Sequence, residues 1–312
     1  MKTLLEVNIG KLKLKNPVMV ASGTFGYAEE FKDLVDFKKL GAIVTKTITL
    51  KPRQGNSPPR TCETPAGMLN SIGLENPGLE GFIQEKLPFL KRIGLPIIVS
   101  IASEGQQEEF ITLARGLDKI KEIAAIELNI SCPNIKKVTS HQSPVTRLIS
   151  QDAKATYNLV KAVRKVTNKT LITKLSPNVT DITEVALAAE SAGSDVVSLI
   201  NTISAMAIDL KTRKPKLAMV TGGLSGPAIR PIAVRMVWEV YKKIRIPIIG
   251  MGGIMDTFSA LEFFIAGATA IAVGTANFVH PQTPIKIISG LEQYLIENKI
   301  KDIKELIGSL KI

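Results

Sequence analysis

Short apolar or β-branched stretches alternate with longer amphipathic stretches along almost the whole chain, and this alternation constrains the fold more than any other feature. Such a pattern is typical of strand–helix units around a parallel sheet. Eight strands are predicted, at residues 17–21, 42–46, 96–101, 125–130, 170–175, 195–200, 247–250 and 270–274. Each is expected to be followed by a helix, sometimes after an insertion, for example at residues 106–122, 153–166, 182–192, 228–244 and 258–266. Eight such units in 312 residues predict an α/β fold of the (β/α)8 TIM-barrel type.

A doubly wound open sheet is the main alternative fold. It would carry a Gly-x-Gly-x-x-Gly fingerprint between its first strand and first helix. The corresponding segment here, residues 22–26 (SGTFG), does not fit that pattern, which favours the barrel.

Three further features complete the predicted architecture. Alternating residues at 5–14 predict an N-terminal β-hairpin at the floor of the barrel. Long insertions are predicted after strands 2 and 6, at residues 47–77 and 201–227. Long connections in compact domains are usually functional or disordered. No linker or low-complexity segment interrupts the pattern, so residues 1–312 are expected to form a single domain.

Composition excludes several classes of protein. The chain lacks an apolar run of about 18 residues, and Glu6 interrupts its start, so we expect no membrane span, no secretory signal and a cytoplasmic location. Two cysteines, Cys62 and Cys132, cannot form a disulfide framework or an iron–sulfur cluster by themselves, and no ligand cluster predicts a metal site. The net charge of +12 would suit nucleic acid, but aromatic residues make up only 5% and the basic residues are dispersed, which favours a solvated surface.

Polar side chains follow the predicted strands at the ends where barrel enzymes build their sites. Lys46 ends strand 2, Asn129 and Cys132 follow strand 4, Lys174 ends strand 5 and Asn201 follows strand 6. A single lysine there would more often extend into solvent, but two lysines beside asparagines and a cysteine favour a binding site. Cys132 lies past its strand, which favours a catalytic acid, base or nucleophile over a buried, inert thiol.

Glycine-rich segments follow strands 7 and 8, at residues 250–254 and 274–275, and a third precedes the sixth helix at residues 222–227. Backbone amides at these positions of a barrel can bind phosphate, whereas tight turns with positive φ are the alternative explanation for the glycines. With lysines and asparagines that can hydrogen-bond a flat polar ring, the pattern favours a phosphorylated cofactor such as FMN and a small heterocyclic substrate.

Eight motifs, in this order, resemble those of the class 1 dihydroorotate dehydrogenases, the FMN barrels of pyrimidine biosynthesis, across nearly the whole chain. The motifs are residues 21–24 (ASGT), 45–47 (TKT), 70–74 (NSIGL), 129–134 (NISCPN), 174–177 (KLSP), 200–202 (INT), 250–254 (GMGGI) and 274–275 (GT). Within the class, residues 75–78 (ENPG), 207–210 (AIDL) and 223–229 (GLSGPAI) look like subclass 1B, the NAD-linked catalytic subunit.

The resemblance implies an oxidoreductase that converts (S)-dihydroorotate to orotate on the route to UMP, with hydride transfer to one FMN per chain. Subclass 1B members pass electrons to NAD+ through a partner subunit that carries FAD and a [2Fe–2S] cluster. The expected assembly is therefore a dimer of this chain within a heterotetramer. The fumarate-reducing subclass 1A is the alternative within the family.

The resemblance also assigns roles to individual residues. Cys132 is the expected base for the C5 proton of dihydroorotate, Lys46 would offset the substrate carboxylate and touch the flavin, and Lys174 would stabilise charge on the reduced flavin. The other expected substrate contacts are Asn70, Ser71, Ile72, Gly73, Leu74, Asn129, Asn134, Asn201 and Thr202. The expected FMN contacts are Ser22, Lys46, Thr47, Ser100, Asn129, Lys174, Ile200, Gly226, Gly252, Gly253, Gly274 and Thr275.

Three positions depart from the family pattern. Ser100 stands where the family usually has Asn, residues 135–144 replace a glycine-containing loop, and residues 218–221 lack an expected polar side chain.

Two other functions remain as alternatives. A tRNA-dihydrouridine synthase, also an FMN barrel with a catalytic cysteine, would suit the positive charge. Such an enzyme would normally have an additional RNA-binding domain. Only residues 281–312 follow the last predicted strand, and these are too few for that domain. A catalytically inactive barrel acting as a binding scaffold is the non-enzyme alternative, and the joint presence of the lysines, the cysteine and the asparagines argues against it.

Overall fold

Eight parallel strands close into a barrel in the computed structural model, which describes residues 4–103, 106–130 and 149–312. The barrel strands are β1 (Val18–Val20), β2 (Ala42–Val44), β3 (Ile97–Ile101), β4 (Ile123–Asn129), β5 (Thr170–Lys174), β6 (Val196–Leu199), β7 (Ile248–Gly250) and β8 (Ala270–Val273). Each strand pairs with the next along the chain, and β8 pairs with β1. All eight predicted strands are present, β4 beginning two residues earlier than predicted and the others with slightly shorter ends, and the TIM-barrel prediction is confirmed.

The barrel strands are buried on both faces. Every residue of β3 and of β5 is buried, because interior side chains cover one face and helices cover the other. This double burial explains why the strands appear in the sequence as continuous apolar runs rather than as alternating ones. Phe110, Phe263 and Phe264, on the helices outside the barrel, are among the largest fully buried side chains.

The helices on the outside of the barrel match the predicted ones closely. They are α1 (Gly78–Gly81), α2 (Leu87–Ile93), α3 (Gln107–Asp118), α4 (Ala153–Arg164), α5 (Ile182–Ser191), α6 (Arg230–Tyr241), α7 (Thr257–Ala266), α8 (Ala276–Val279) and α9 (Thr283–Glu297), with a π-helical turn at Phe82–Lys86. Short 3-10 turns lie at Ile149–Gln151, Pro227–Ile229 and Ile303–Leu306. In the described ranges, no helix is both long enough and apolar enough to cross a membrane.

The expectation of a helix after every strand is wrong for β1. Only 3-10 turns, at Glu29–Phe31 and Phe37–Lys39, separate β1 from β2. Gly26 and Ala28 have positive φ, at 54° and 70°, and left-handed residues interrupt a right-handed helix. The connection is held instead by aromatic packing, since the rings of Phe25 and Phe31 stack with their centroids 4.2 Å apart.

The predicted N-terminal hairpin is confirmed. Val7–Ile9 pairs antiparallel with Leu12–Leu14 around a turn in which Gly10 has a φ of 57°. The backbone N–H of Lys11 donates to Oγ1 of Thr170, the first residue of β5, at 3.0 Å. The hairpin therefore covers the amino-terminal floor of the barrel.

The two long insertions pair with each other, which the sequence analysis did not predict. They form a four-stranded antiparallel sheet in the order Ile203–Ala205, Gly222–Ser225, Gly67–Asn70 and Thr61–Thr64, called here the mouth sheet. A second, short ladder joins Ile208–Asp209 to Lys214–Pro215. Since the insertions leave the barrel after β2 and β6, the mouth sheet lies at the carboxyl ends of the strands.

Candidate active site

A cavity of about 890 Å³ lies between the carboxyl ends of the barrel strands and the mouth sheet. This volume falls in the range of small-molecule and cofactor sites. Parallel strands end at the same edge, so side chains far apart in sequence meet here. The predicted site residues on its wall are Ser22, Lys46, Thr47, Asn70, Ile72, Gly73, Leu74, Asn129, Lys174, Ile200, Asn201, Thr202, Gly226, Gly252, Gly253, Gly274 and Thr275.

Two described site predictions, Ser71 and Ser100, are not on that wall, and two others are not described. Cys132 and Asn134 lie outside the described residues. Ser100 is fully buried behind Thr47, and their hydroxyl oxygens are 2.9 Å apart, so it reaches the cavity only through Thr47. Ser71 is also fully buried, and its backbone bonds to neighbouring loop residues instead. Direct contacts of Ser71 and Ser100 with a ligand are therefore not supported.

A chain of hydrogen bonds orients the polar side chains at the strand ends. Nδ2 of Asn129 donates to Oγ1 of Thr47 at 3.1 Å, and Nδ2 of Asn201 donates to Oδ1 of Asn129 at 3.3 Å. Thr47 in turn bonds to Ser100 on β3. The chain links the ends of four strands, so each amide has a defined orientation before any ligand enters.

Lys174 lies at the end of β5, with its ammonium group at the cavity wall and almost no exposure. Its Nζ donates to Oγ of Ser22 at 3.2 Å and lies 4.0 Å from Oε1 of Glu127. Glu127 is a buried group that the sequence analysis missed. The signal was present, because a carboxylate inside an otherwise apolar strand is rarely buried without a partner.

The glycines after β7 and β8 serve two different purposes. Gly252 and Gly253 have φ values of 129° and 75°, and a Cβ on either would approach Ala233 or Arg230 closer than 3.0 Å, so a tight turn requires them. Gly274 has no such φ, and in the described part of the chain only Cβ of Ala21 would come within 4 Å of an added Cβ. Glycine at 274 therefore keeps the cavity wall flat.

The loops after β7 and β8 also present unused hydrogen-bond donors. Across the described ranges, the amides of Gly252, Gly253 and Thr275 donate to no backbone carbonyl. All three residues line the cavity. Backbone N–H groups in such glycine-rich loops are suited to an anion, so a phosphate fits this part of the wall.

Asp256 anchors the loop after β7 to α7. Its Oδ1 accepts a hydrogen bond from the backbone N–H of Ser259 at 2.8 Å, and Oγ of Ser259 accepts one from the N–H of Asp256 at 2.9 Å. The Ser259 amide lowers the pKa of Asp256 below its ordinary value, and the charge of Arg230 acts in the same direction. The capping box thus fixes the end of the glycine-rich loop.

Several wall residues were missed because they belong to the mouth sheet, to the turn between two of its strands, or to α8. They are Thr61, Glu63, Thr64, Pro65, Ala66, Gly67, Met68, Phe278 and Val279. The unusual length of the first insertion was the only sequence signal for most of them. Searched over the described residues, the chain contains no group of three or more His, Cys, Asp or Glu side chains placed to hold a metal ion.

Comparison with known proteins identifies the family to which this chain is similar. The sequence model of the family described as "Dihydroorotate dehydrogenase" matches residues 4–295. A protein of Geobacter metallireducens named "Dihydroorotate dehydrogenase B (NAD(+)), catalytic subunit" is 54% identical over 308 residues, covering 99% of this chain and 98% of the relative. Proteins with the same name from Trichlorobacter lovleyi and Caldicellulosiruptor bescii are also 54% identical, over 100% and 99% of this chain and 100% and 99% of the relatives.

Proposed function

The chain belongs to the dihydroorotate dehydrogenase family, and from that membership we propose that it oxidises dihydroorotate to orotate as the catalytic subunit of an NAD+-linked enzyme. The observation that carries the proposal is the single cavity wall on which two lysines, three asparagines and the glycine-rich loops meet. Relatives that cover the chain from end to end bear the NAD(+) name, which favours this function over the fumarate-reducing subclass and over a tRNA-dihydrouridine synthase.

We infer that FMN is the cofactor. The amides of Gly252, Gly253 and Thr275 would hold its phosphate, and the flat wall at Gly274 leaves room for it. Ser22, Thr47 and Lys174 would hydrogen-bond the ring. Bound FMN would accept the hydride that leaves C6 of the substrate.

The asparagines are suited to a pyrimidine ring. Each amide offers donors and an acceptor, which is what a ring with alternating N–H and C=O groups requires. The chain from Thr47 through Asn129 to Asn201 would fix which edge of each amide faces the substrate. Lys46, on the same wall, would offset the substrate carboxylate. Asn70 and Thr202 would complete the set from the mouth sheet and the end of β6.

Cys132 is the proposed base. It would take the C5 proton on Sγ while the C6 hydride leaves, so that a C5=C6 double bond forms and the substrate loses two electrons and two hydrogens. This assignment rests on the motif at residues 129–134, because Cys132 lies outside the described residues.

A partner subunit completes the proposal. The words "catalytic subunit" in the relatives' names imply at least one other subunit in their complexes. We propose that this chain forms a dimer within a heterotetramer in the cytoplasm, and that the partner carries FAD and a [2Fe–2S] cluster.

The test is anaerobic mixing of the flavin-loaded protein with dihydroorotate while flavin absorbance is followed. The wild type should bleach, and Cys132→Ser should bleach far more slowly at neutral pH. Cys62→Ser is the matched control, because Cys62 is half-buried in the mouth sheet, is not on the cavity wall, and should leave the rate unchanged. Protein that binds no flavin, or flavin that dihydroorotate does not reduce, would overturn the proposal.

A further inference from the structure

Glu127 is a buried carboxylate for which the proposed chemistry provides no role. It lies on β4 with 1% of its surface exposed and is not part of the cavity wall. Its Oε2 accepts a hydrogen bond from Oγ of Ser198 on β6 at 3.0 Å. Its Oε1 has no hydrogen-bond partner among the described residues. A buried carboxylate without full compensation is costly, so its presence at this place needs an explanation.

Among the described residues, the nearest opposite charge is the ammonium group of Lys174. Oε1 of Glu127 lies 4.0 Å from Nζ, a distance that permits Coulomb attraction but is too long for a hydrogen bond. Both side chains are almost fully buried, so little solvent screens the attraction. Nζ also donates to Oγ of Ser22, which is on the cavity wall. The ammonium group is therefore close both to a carboxylate inside the barrel and to a side chain of the cavity wall.

We propose that Glu127 is a positioning residue that holds the ammonium group of Lys174 at the cavity wall and reduces the positive charge that a cofactor in the cavity experiences. The inference rests on the proposed function, because it takes FMN as the occupant. Reduced FMN carries negative charge on its ring, whereas oxidised FMN carries none there, so the charge near the ring sets the relative affinity for the two forms. Glu127 thereby keeps reduced FMN from being stabilised too strongly to pass on its electrons.

Ser198 determines how much of the negative charge of Glu127 acts on Lys174. Its hydroxyl donates to Oε2 and so satisfies part of the carboxylate's charge. Without that hydroxyl, more of the negative charge would fall on Lys174. Loss of Glu127 and loss of the Ser198 hydroxyl should therefore have opposite effects on the reduced cofactor, a pattern that a merely structural role does not produce.

The experiment measures the two-electron midpoint potential of bound FMN by dye-coupled anaerobic titration, together with the Kd of oxidised FMN. Glu127→Gln should raise the ratio of affinities for reduced and oxidised FMN at least tenfold, which is about 30 mV for a two-electron couple. Ser198→Ala should lower that ratio. Glu127→Asp keeps the charge and should stay close to the wild type.

Each outcome is decisive. A Glu127→Gln potential that is unchanged or lower would overturn the inference, as would shifts of the same sign in Glu127→Gln and Ser198→Ala. If Glu127→Gln does not fold, the lowered potential of Ser198→Ala and the unchanged one of Glu127→Asp carry the test. A wild type that binds FMN and is bleached by dihydroorotate keeps the proposed function whatever the variants do, whereas a wild type that binds no FMN overturns both.

Discussion

Replacing Gly274 with alanine adds one methyl group to the cavity wall without disturbing the rest of the barrel. Gly274 follows β8 and has a φ that any residue can adopt, and among the described residues only Cβ of Ala21, at 3.8 Å, would contact the new Cβ. The methyl group therefore projects into the space where we propose that the phosphate of FMN binds. The substitution separates the binding role of this glycine from any conformational role.

The expected magnitudes follow from that geometry. With no strain and no clash, the free energy of unfolding of the flavin-free protein should stay unchanged or rise by up to about 1 kcal/mol, because alanine reduces the entropy of the unfolded chain. Binding should weaken instead. Displacing the phosphate from one charge-assisted hydrogen bond costs about 1.5–3 kcal/mol, or roughly 10- to 150-fold in Kd for FMN.

Gly94→Ala is the matched control because it should lower the stability of the fold and leave FMN affinity unchanged, the opposite of what Gly274→Ala should do. Gly94 ends α2 with a φ of 74°, and no described atom would lie within 4 Å of its added Cβ. The left-handed conformation should lower the free energy of unfolding by about 1–2 kcal/mol. FMN affinity should not change, because Gly94 is not on the cavity wall.

The assay is urea unfolding of the flavin-free variants followed by fluorescence titration with FMN. Destabilised Gly274→Ala with normal FMN affinity would refute the reasoning, since it would mean that glycine is required there for the fold. Equal FMN affinity in Gly274→Ala and Gly94→Ala would also refute it.

Two further predictions concern the side chains around the cavity. Thr47→Val should lower the free energy of unfolding by about 1–3 kcal/mol, because it removes the buried hydroxyl that hydrogen-bonds to both Ser100 and Asn129. In urea unfolding, the double variant Thr47→Val with Ser100→Ala should lose less free energy of unfolding than the two single variants together. Strictly additive losses would contradict the coupling between Thr47 and Ser100. Asp256→Ala should lower the free energy of unfolding by about 1 kcal/mol at pH 7. Since folding depresses the pKa of Asp256, its stabilising effect is present above about pH 4 and lost as the pH falls. The gap between wild type and variant should therefore shrink at pH 3, and an equal gap would count against the capping role.

The barrel and the part of the cavity wall at the strand ends could be predicted because the relevant signals are local. A buried parallel strand is a short apolar run, and the first polar residue after it lies at the mouth whichever strand it follows. Lys46, Lys174 and Asn201 were found this way, and all three line the cavity.

The mouth sheet could not be predicted, since its signals are not local and contradict strand propensity. Its second strand contains Gly222 and Gly223, which β-propensity disfavours. The structure explains them by close approach: a Cβ on Gly223 would lie 2.0 Å from Oγ1 of Thr202, and one on Gly222 would lie 2.6 Å from the carbonyl oxygen of Asn70. Thr202 follows β6, so Gly223 allows the mouth sheet to approach the barrel closely, whereas Asn70 is on the neighbouring strand, so Gly222 allows the two insertions to pair closely.

Glu127, which the sequence analysis missed, suggests a rule for predicting the residues that lie just below the strand ends of a barrel. Side chains two residues apart on a strand project to the same side, so the residue two positions before a polar strand end lies directly below it. Below Asn129 this rule finds Glu127, beside Lys174, and below Thr47 it finds Thr45. Oγ1 of Thr45 accepts a hydrogen bond from the backbone N–H of Ser100, the residue that holds Thr47. Neither Glu127 nor Thr45 is on the cavity wall, which explains why reasoning from the mouth alone did not identify Glu127.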